Sequence, residues 1–488
     1  MRKVLGKAGL PRVALRRSAL LCSAGAALFL TACVPDLGPT PEMVQPGALA
    51  TAGSFSDEQG AWPADNWWQP YGDPQLNRLL DEALQGSPTL KIAEARLRQA
   101  QAEAQQAGAA LLPDVEFDGS ALESKQSLNQ GFQKPIQSMM PHGWHSNARL
   151  ATSFNFELDL YGKNRAALAA ATSEEQAAGV DFAEARLALS TSVAAAYAEL
   201  VRLAADKAAA EDAVQIREKG AQLFREREQQ GLETSGAAAQ AQAVADSARA
   251  DVDVIDGQIG LVRNQIAALV GKGPDRGLDV PLPVAHAVKA PMLPSHLAAD
   301  LISRRPDLVA ARLRAEAAAS RIDVAHADFY PNIDLQGMIG LQSLNIGSLF
   351  QHASLIGAIG PAIHLPIFDG GRIEGAYRGA RAGYDEAVAA YNQTLVNSLR
   401  DVADAIVSQR AVQAELEHAR GALKLGDDAY RTADQRYRAG LAHYLDVLAA
   451  EDVLVLQRQR VADLEARALS QDIALIRALG GGYRSQRS

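Results

Sequence analysis

The sequence predicts a mixed α/β membrane protein, mostly α-helical, in which copies of one chain pool short strands into a shared β-barrel that long helices continue. Three observations carry this. Four short segments alternate apolar and polar residues with a period of two, the mark of a half-exposed strand. Two long stretches, 163–230 and 372–438, contain no proline and place apolar residues three and four apart, as helices do. The two halves of the chain also repeat each other, displaced by about 210 residues with the order of elements kept.

Residues 1–32 read as a signal peptide. Arg2, Lys3, Lys7, Arg12, Arg16 and Arg17 precede an apolar run from Ser18 to Leu30 that is too short to span a bilayer. Leu30-Thr31-Ala32-Cys33 looks like a bacterial lipobox, which implies cleavage before Cys33 and covalent lipid on it. Several acyl chains anchor a protein firmly, since each buried CH₂ contributes about 0.8 kcal/mol. Val34, rather than Asp, follows the cysteine, which favours sorting to the outer membrane. Cys22 lies in the signal, so the remainder has one cysteine, no disulfide and no thiol-based metal site. The signal also holds six of the 48 basic residues and no acid, leaving 57 acidic residues against 42 basic ones. Such acidity argues against nucleic acid as a partner.

Residues 33–75 are Pro-rich and read as a lipid-anchored extended linker. Repeat 1 spans 76–275, a Pro-rich connector 276–296, repeat 2 297–483 and a tail 484–488. Within each repeat the order is helix, strand, strand, long helix, helix. Residues 76–111, broken at Pro88, and 297–328 are alanine-rich and helical, and each ends before Pro113 or Pro331, as expected of residues preceding proline. Strands follow at 114–121, 149–161, 332–341 and 355–367. In 149–161 Leu150, Thr152, Phe154, Phe156, Leu158 and Leu160 form one face, and Ala151, Ser153, Asn155, Glu157 and Asp159 the other. These lengths suit a tilted membrane strand of about 9–11 residues. The segment 163–230 would run about 100 Å as one helix. Its two apolar stripes give it two neighbours, as in a closed ring of helices. Four strands cannot enclose an open lumen, and unpaired edges in lipid cost several kcal/mol per group, so the chain must oligomerise; three copies supply twelve strands.

Phe156-Glu157-Leu158-Asp159-Leu160-Tyr161-Gly162, Arg304-Arg305-Pro306-Asp307, Leu365-Pro366-Ile367-Phe368-Asp369-Gly370-Gly371-Arg372 and Ala478-Leu479-Gly480-Gly481-Gly482-Tyr483, in that order, resemble the outer membrane factors. These are TolC-like channels, and the resemblance is to the lipoprotein branch serving resistance-nodulation-division efflux systems; it covers nearly all of 62–483. It implies a homotrimer with a twelve-stranded barrel, an α-helical periplasmic tunnel, a periplasmic adaptor and an inner-membrane transporter as partners, and a gate at the periplasmic tip. The tip falls at the turns containing Gly231 and Gly440, which suit left-handed helix caps. The resemblance gives Tyr437 the gate tyrosine's place and Asp446 that of the first tip acid; Ala449 and Ala442 stand where a second acid and an arginine are expected.

Asp114, Glu116, Asp118, Glu157 and Asp159 are expected in the barrel lumen, where they would favour cations or simply keep the wall wet. His142 and His145 flank Trp144 in a polar segment read as an extracellular loop, and two ligands are too few for a structural metal site. No cofactor and no catalytic motif is recognised. The chain therefore reads as a passive efflux duct. The alternatives are a channel for type I protein secretion and a lipid-anchored periplasmic helical scaffold without a pore.

Overall fold

The computed structural model describes residues 34–51, 54–55, 61–125, 127, 133–137, 139, 142–283 and 297–485. The signal peptide and Cys33 lie outside the described residues. In chain order the elements are α1 (Pro74–Gly86), α2 (Pro88–Ala109), β1 (Asp114–Lys125), α3 (Lys134–Gln137), β2 (Trp144–Glu157), α4 (Lys163–Gln229), α5 (Ser235–Leu269), α6 (Asp275–Leu278), α7 (Leu297–Arg304), α8 (Pro306–Ala327), β3 (Asn332–Ser343), β4 (Leu355–His364), α9 (Arg372–Arg438) and α10 (Tyr444–Ala478). Among the described residues, 34–42, 99–175 and 313–388 form one compact unit, and 43–98, 176–312 and 389–485 a second.

The first unit holds one antiparallel sheet, ordered β1-β2-β3-β4. Its register aligns the apolar face across all four strands. Val115 opposes Phe154, Phe154 opposes Gly337 and Gly337 opposes Ile359; Phe117, Thr152, Ile339 and Gly357 form the next row of the same face. This apolar face is open: Phe117 is 70% and Ile359 76% exposed, far too much for the inside of a soluble sheet. Gly337 has a steric reason, because a Cβ there would fall within the Phe154 ring. Among the described residues, β1 and β4 have no partner strand on their outer edges.

Both joints from strand to long helix are capped by an aspartate. Asp159 accepts from the backbone N–H of Asn164 at 3.1 Å and of Arg165 at 3.0 Å, and Asp369 from that of Ile373 at 2.8 Å. Each carboxylate thereby satisfies helix donors that have no intrahelical partner. Asp159 therefore corrects its expected place on the strand wall: β2 ends at Glu157, and Leu158 and Leu160 also lie past it. Burial alone would raise the Asp159 carboxyl, but the two N–H donors and the Arg165 guanidinium hold it below its ordinary range. Lys163 pairs with Asp328 at 2.7 Å, and Tyr161 stacks on Tyr330 with ring centroids 4.6 Å apart.

The second unit has two principal cores. One joins Trp67, Trp68, Leu79, Leu80, Val193, Leu200, Ile266 and Ile473; the other joins Leu301, Leu308, Tyr391, Leu395, Val402 and Leu475. Trp67 and Trp68 correct the reading of 33–75 as tether alone, since this part of it is core. Asp73 caps α1 through the Gln75 and Leu76 N–H groups and also accepts from the Tyr197 hydroxyl at 2.5 Å. The helix expected over 297–328 is broken at Arg305, where Pro306 starts α8. The connector likewise forms a helical turn, α6, before the undescribed 284–296.

Candidate gate and channel wall

The second unit carries two helical hairpins, α4–α5 and α9–α10, whose turns are built alike. Gly231 has φ 69° and Gly440 φ 73°, the left-handed conformation that costs glycine least. In each turn the following leucine N–H reaches back to a helix carbonyl, Leu232 to Arg227 and Leu441 to Arg436, both at 2.8 Å. This is the Schellman pattern that ends a helix. The next helix starts at once: Thr234 Oγ1 accepts from the Ala237 N–H at 3.2 Å, and Asp446 accepts from the His443 N–H at 3.0 Å. Asp446 is exposed on the first turn of α10, so its carboxylate serves as a helix cap as well as a tip charge.

Tyr437 packs against Tyr444, ring centroids 5.3 Å apart, and Tyr444 reaches across to α4. There its ring lies 5.2 Å from Phe224 and over Gly220, where an added Cβ would sit 2.9 Å from Tyr444 Cζ. Burial, followed by the charge of Glu451, pushes the Tyr444 hydroxyl up to about 12, so it stays neutral. Two ion pairs also bind α10 to α4: Arg217 to Asp452 at 2.6 Å and Arg458 to Asp212 at 3.0 Å. Tyr444, Gly220 and Arg217 were not singled out from the sequence. Gly220 held the signal, since a glycine inside a helix costs about 1 kcal/mol against alanine and usually has a packing reason.

Away from the tips, Arg305 is 9% exposed and donates to Asp307 at 2.6 Å, Asp401 at 3.3 Å and the Ala478 carbonyl at 3.2 Å. It thereby ties the α7–α8 break to α9 and the end of α10. A cavity of about 450 Å³ beside it is lined by Glu184, Asp404, Gln471 and Arg477. Burial, then the charge of Asp307, pushes Glu184 up to about 7.

In the first unit, Asp114, Glu116 and Asp118 lie on the face of the sheet opposite Phe117, together with Asn155, Ser153 and Gln336. Glu157 stands directly across from Asp334, an acid the sequence reading left unassigned. Like charges in direct cross-strand opposition repel, so such a pair belongs on a wet face. His145 pairs with Ser124 at the far end of the sheet, and among the described residues no group of three or more His, Cys, Asp or Glu could hold a metal.

A sheet that is greasy on one side and acidic on the other, with long capped hairpins, defines the class of channel-forming outer membrane proteins. The chain belongs to the outer membrane efflux protein family, whose profile matches residues 79–272 and 297–481. It is 30% identical over 484 residues to the multidrug resistance outer membrane protein MdtP of Escherichia coli K12, covering 96% of this chain and 97% of that protein. It is 33% identical over 366 residues to the fusaric acid resistance protein FusA of Burkholderia cepacia, covering 73% and 68%. Among solved structures, the outer membrane protein VceC of Vibrio cholerae superposes with a TM-score of 0.79 at 45% identity, covering 87% of this chain and all of VceC. The outer-membrane channel OprN gives 0.81 at 26% identity, covering 92% and 99%.

The chain is therefore an outer membrane efflux channel subunit whose four strands form one third of a trimeric, twelve-stranded barrel continued by a helical periplasmic tunnel. The unpaired edges of β1 and β4 are what three copies join. The pore-less scaffold gives way to this, because its premise was that the alternating segments stay out of lipid. The family consists of channels rather than enzymes.

Proposed function

We propose that this channel is the exit duct for small amphiphilic toxic compounds, working with a periplasmic adaptor and an inner-membrane transporter of the resistance-nodulation-division class. The observation that carries this is full-length similarity to a multidrug resistance outer membrane protein and substantial similarity to a fusaric acid resistance protein. The α9–α10 hairpin is the gate, held against α4 by Tyr444 in the Gly220 notch and by Arg217, with Asp446 contributing charge at the tip. Deleting the gene should lower the tolerated concentration of such compounds several-fold, and the wild-type chain should restore it. Tyr444→Ala and Asp446→Ala should each raise conductance in planar bilayers. Unchanged susceptibility on deletion would sink the efflux role, and unchanged conductance the gate.

Asp114, Glu116, Asp118, Glu157 and Asp334 form the lumen wall. Rings of carboxylates raise local cation concentration. Glu157→Lys with Asp334→Lys should cut the cation-to-anion permeability ratio several-fold, read from reversal potentials in a salt gradient; an unaltered ratio would show that these acids only wet the wall.

Lipid on Cys33 is part of the same reading. Arg381 donates to the Gly38 and Pro39 carbonyls, and it lies about 13 Å along α9 from the strand-helix joint. Five extended residues reach about 17 Å, enough to return acyl chains from Gly38 to the level of the barrel base.

A further inference from the structure

Glu451 lies on α10 beside the tip, 1% exposed, and among the described residues neither carboxyl oxygen has a hydrogen-bond partner. The nearest cationic atom is Arg217 Nε at 3.7 Å, too far for a hydrogen bond, and that nitrogen is itself unpartnered. Arg217 has committed its other end to Asp452, which is two-thirds exposed. The guanidinium thus serves an acid that water already solvates and leaves the buried acid bare. This arrangement suits a neutral Glu451 and is costly for an anion.

The neighbours do not change that conclusion. From α4, Arg217 faces Glu451. From α9 come Tyr430 and Asp434, the latter held by Arg438 at 2.9 Å. From α10 itself come Tyr444, Asp452 and Arg458, the last paired with Asp212. Burial raises both tyrosines, so neither titrates near neutrality.

We propose that Glu451 is a proton-operated latch: its neutral carboxyl lets α10 pack on α4 and hold the tip closed, and its anion drives the hairpin off α4. The effect on transport rests on the gate reading given above. Burial pushes Glu451 from its ordinary 4.5 to about 7 while Arg217 opposes the rise. A value raised in the packed state means the proton favours packing. That preference is complete below 4.5 and is lost as pH rises through about 7.

The test uses the full-length trimer and reads two quantities, protection of the amides of 444–452 against hydrogen exchange and conductance in planar bilayers. Between about pH 6 and 8 the wild type should lose about tenfold in protection and gain about tenfold in open probability. Glu451→Gln, neutral at every pH, should show neither step. Asp452→Asn frees Arg217 for Glu451 and should lower the midpoint, which guards against a Glu451→Gln chain that does not assemble. Steps that persist in Glu451→Gln, or a midpoint unmoved in Asp452→Asn, overturn the latch. A protection step without a conductance step overturns the gate reading beneath it.

Discussion

Gly340→Ala should leave no folded channel. Gly340 stands opposite Ala151 in the β2–β3 ladder, and a Cβ there would fall on the Leu150 carbonyl oxygen and within 2.6 Å of the Ala151 Cα. Those atoms are backbone, so no side-chain rotation relieves the clash. β2 and β3 would have to separate, and the ladder bonds lost with them are ones that lipid cannot replace. Since every protomer contributes a third of the barrel, the lesion recurs three times per trimer. We expect the heat-modifiable trimer to vanish from outer membrane fractions. Gly357→Ala is the control: its Cβ would meet the Met338 carbonyl at 3.6 Å, an ordinary contact, and the trimer should persist. Normal trimer levels for Gly340→Ala would mean that the β2–β3 register is not the one described.

Arg305→Ala carries the second large effect. One buried guanidinium satisfies Asp307, Asp401 and the Ala478 carbonyl at once. Removing it leaves Asp307 with only the Leu308 N–H, Asp401 with only the exposed Arg400, and the Ala478 carbonyl without this donor. Breaking a buried pair costs about 3–5 kcal/mol, and because both aspartates keep some contact with water the lower end, about 3 kcal/mol, applies. The urea midpoint of the second unit should fall accordingly. Arg305→Lys should recover only part of the loss, because a single ammonium cannot span the carboxylates that the guanidinium fork bridges. A midpoint within error of wild type would reduce the cluster to an exposed ion pair of little weight.

The elements were legible because local rules write them. Proline at 88, 113 and 331 ends helices through its own ring, and Gly231 and Gly440 stop the hairpins through backbone freedom that no tertiary contact need supply. The alternating faces of β1 to β4 were readable for the same reason: period two is a property of the strand itself. Asp159 misled because the same alternation continues past the last ladder bond, and only the position of Asn164 and Arg165 in space turns it into a helix cap. Trp67 and Trp68 hid in a Pro-rich run whose composition resembles a tether. The proposed gate was half legible: the turns follow from their glycines, and the family resemblance supplied Tyr437 and Asp446. Tyr444 and Gly220 meet across more than two hundred residues, a distance that no periodicity crosses.

By itself the amino-acid order settled what is near in sequence: the long helices, the capped turns, the two-faced strands and their duplication, and from the shortage of strands the need for further copies. Tertiary structure alone decided which charges are buried and which are wet. Glu451 and Asp452 are neighbours in the chain, yet one has lost its water and the other keeps it. The free energy of a carboxylate depends on the dielectric and the donors around it, and those come from helices that the local sequence does not contain.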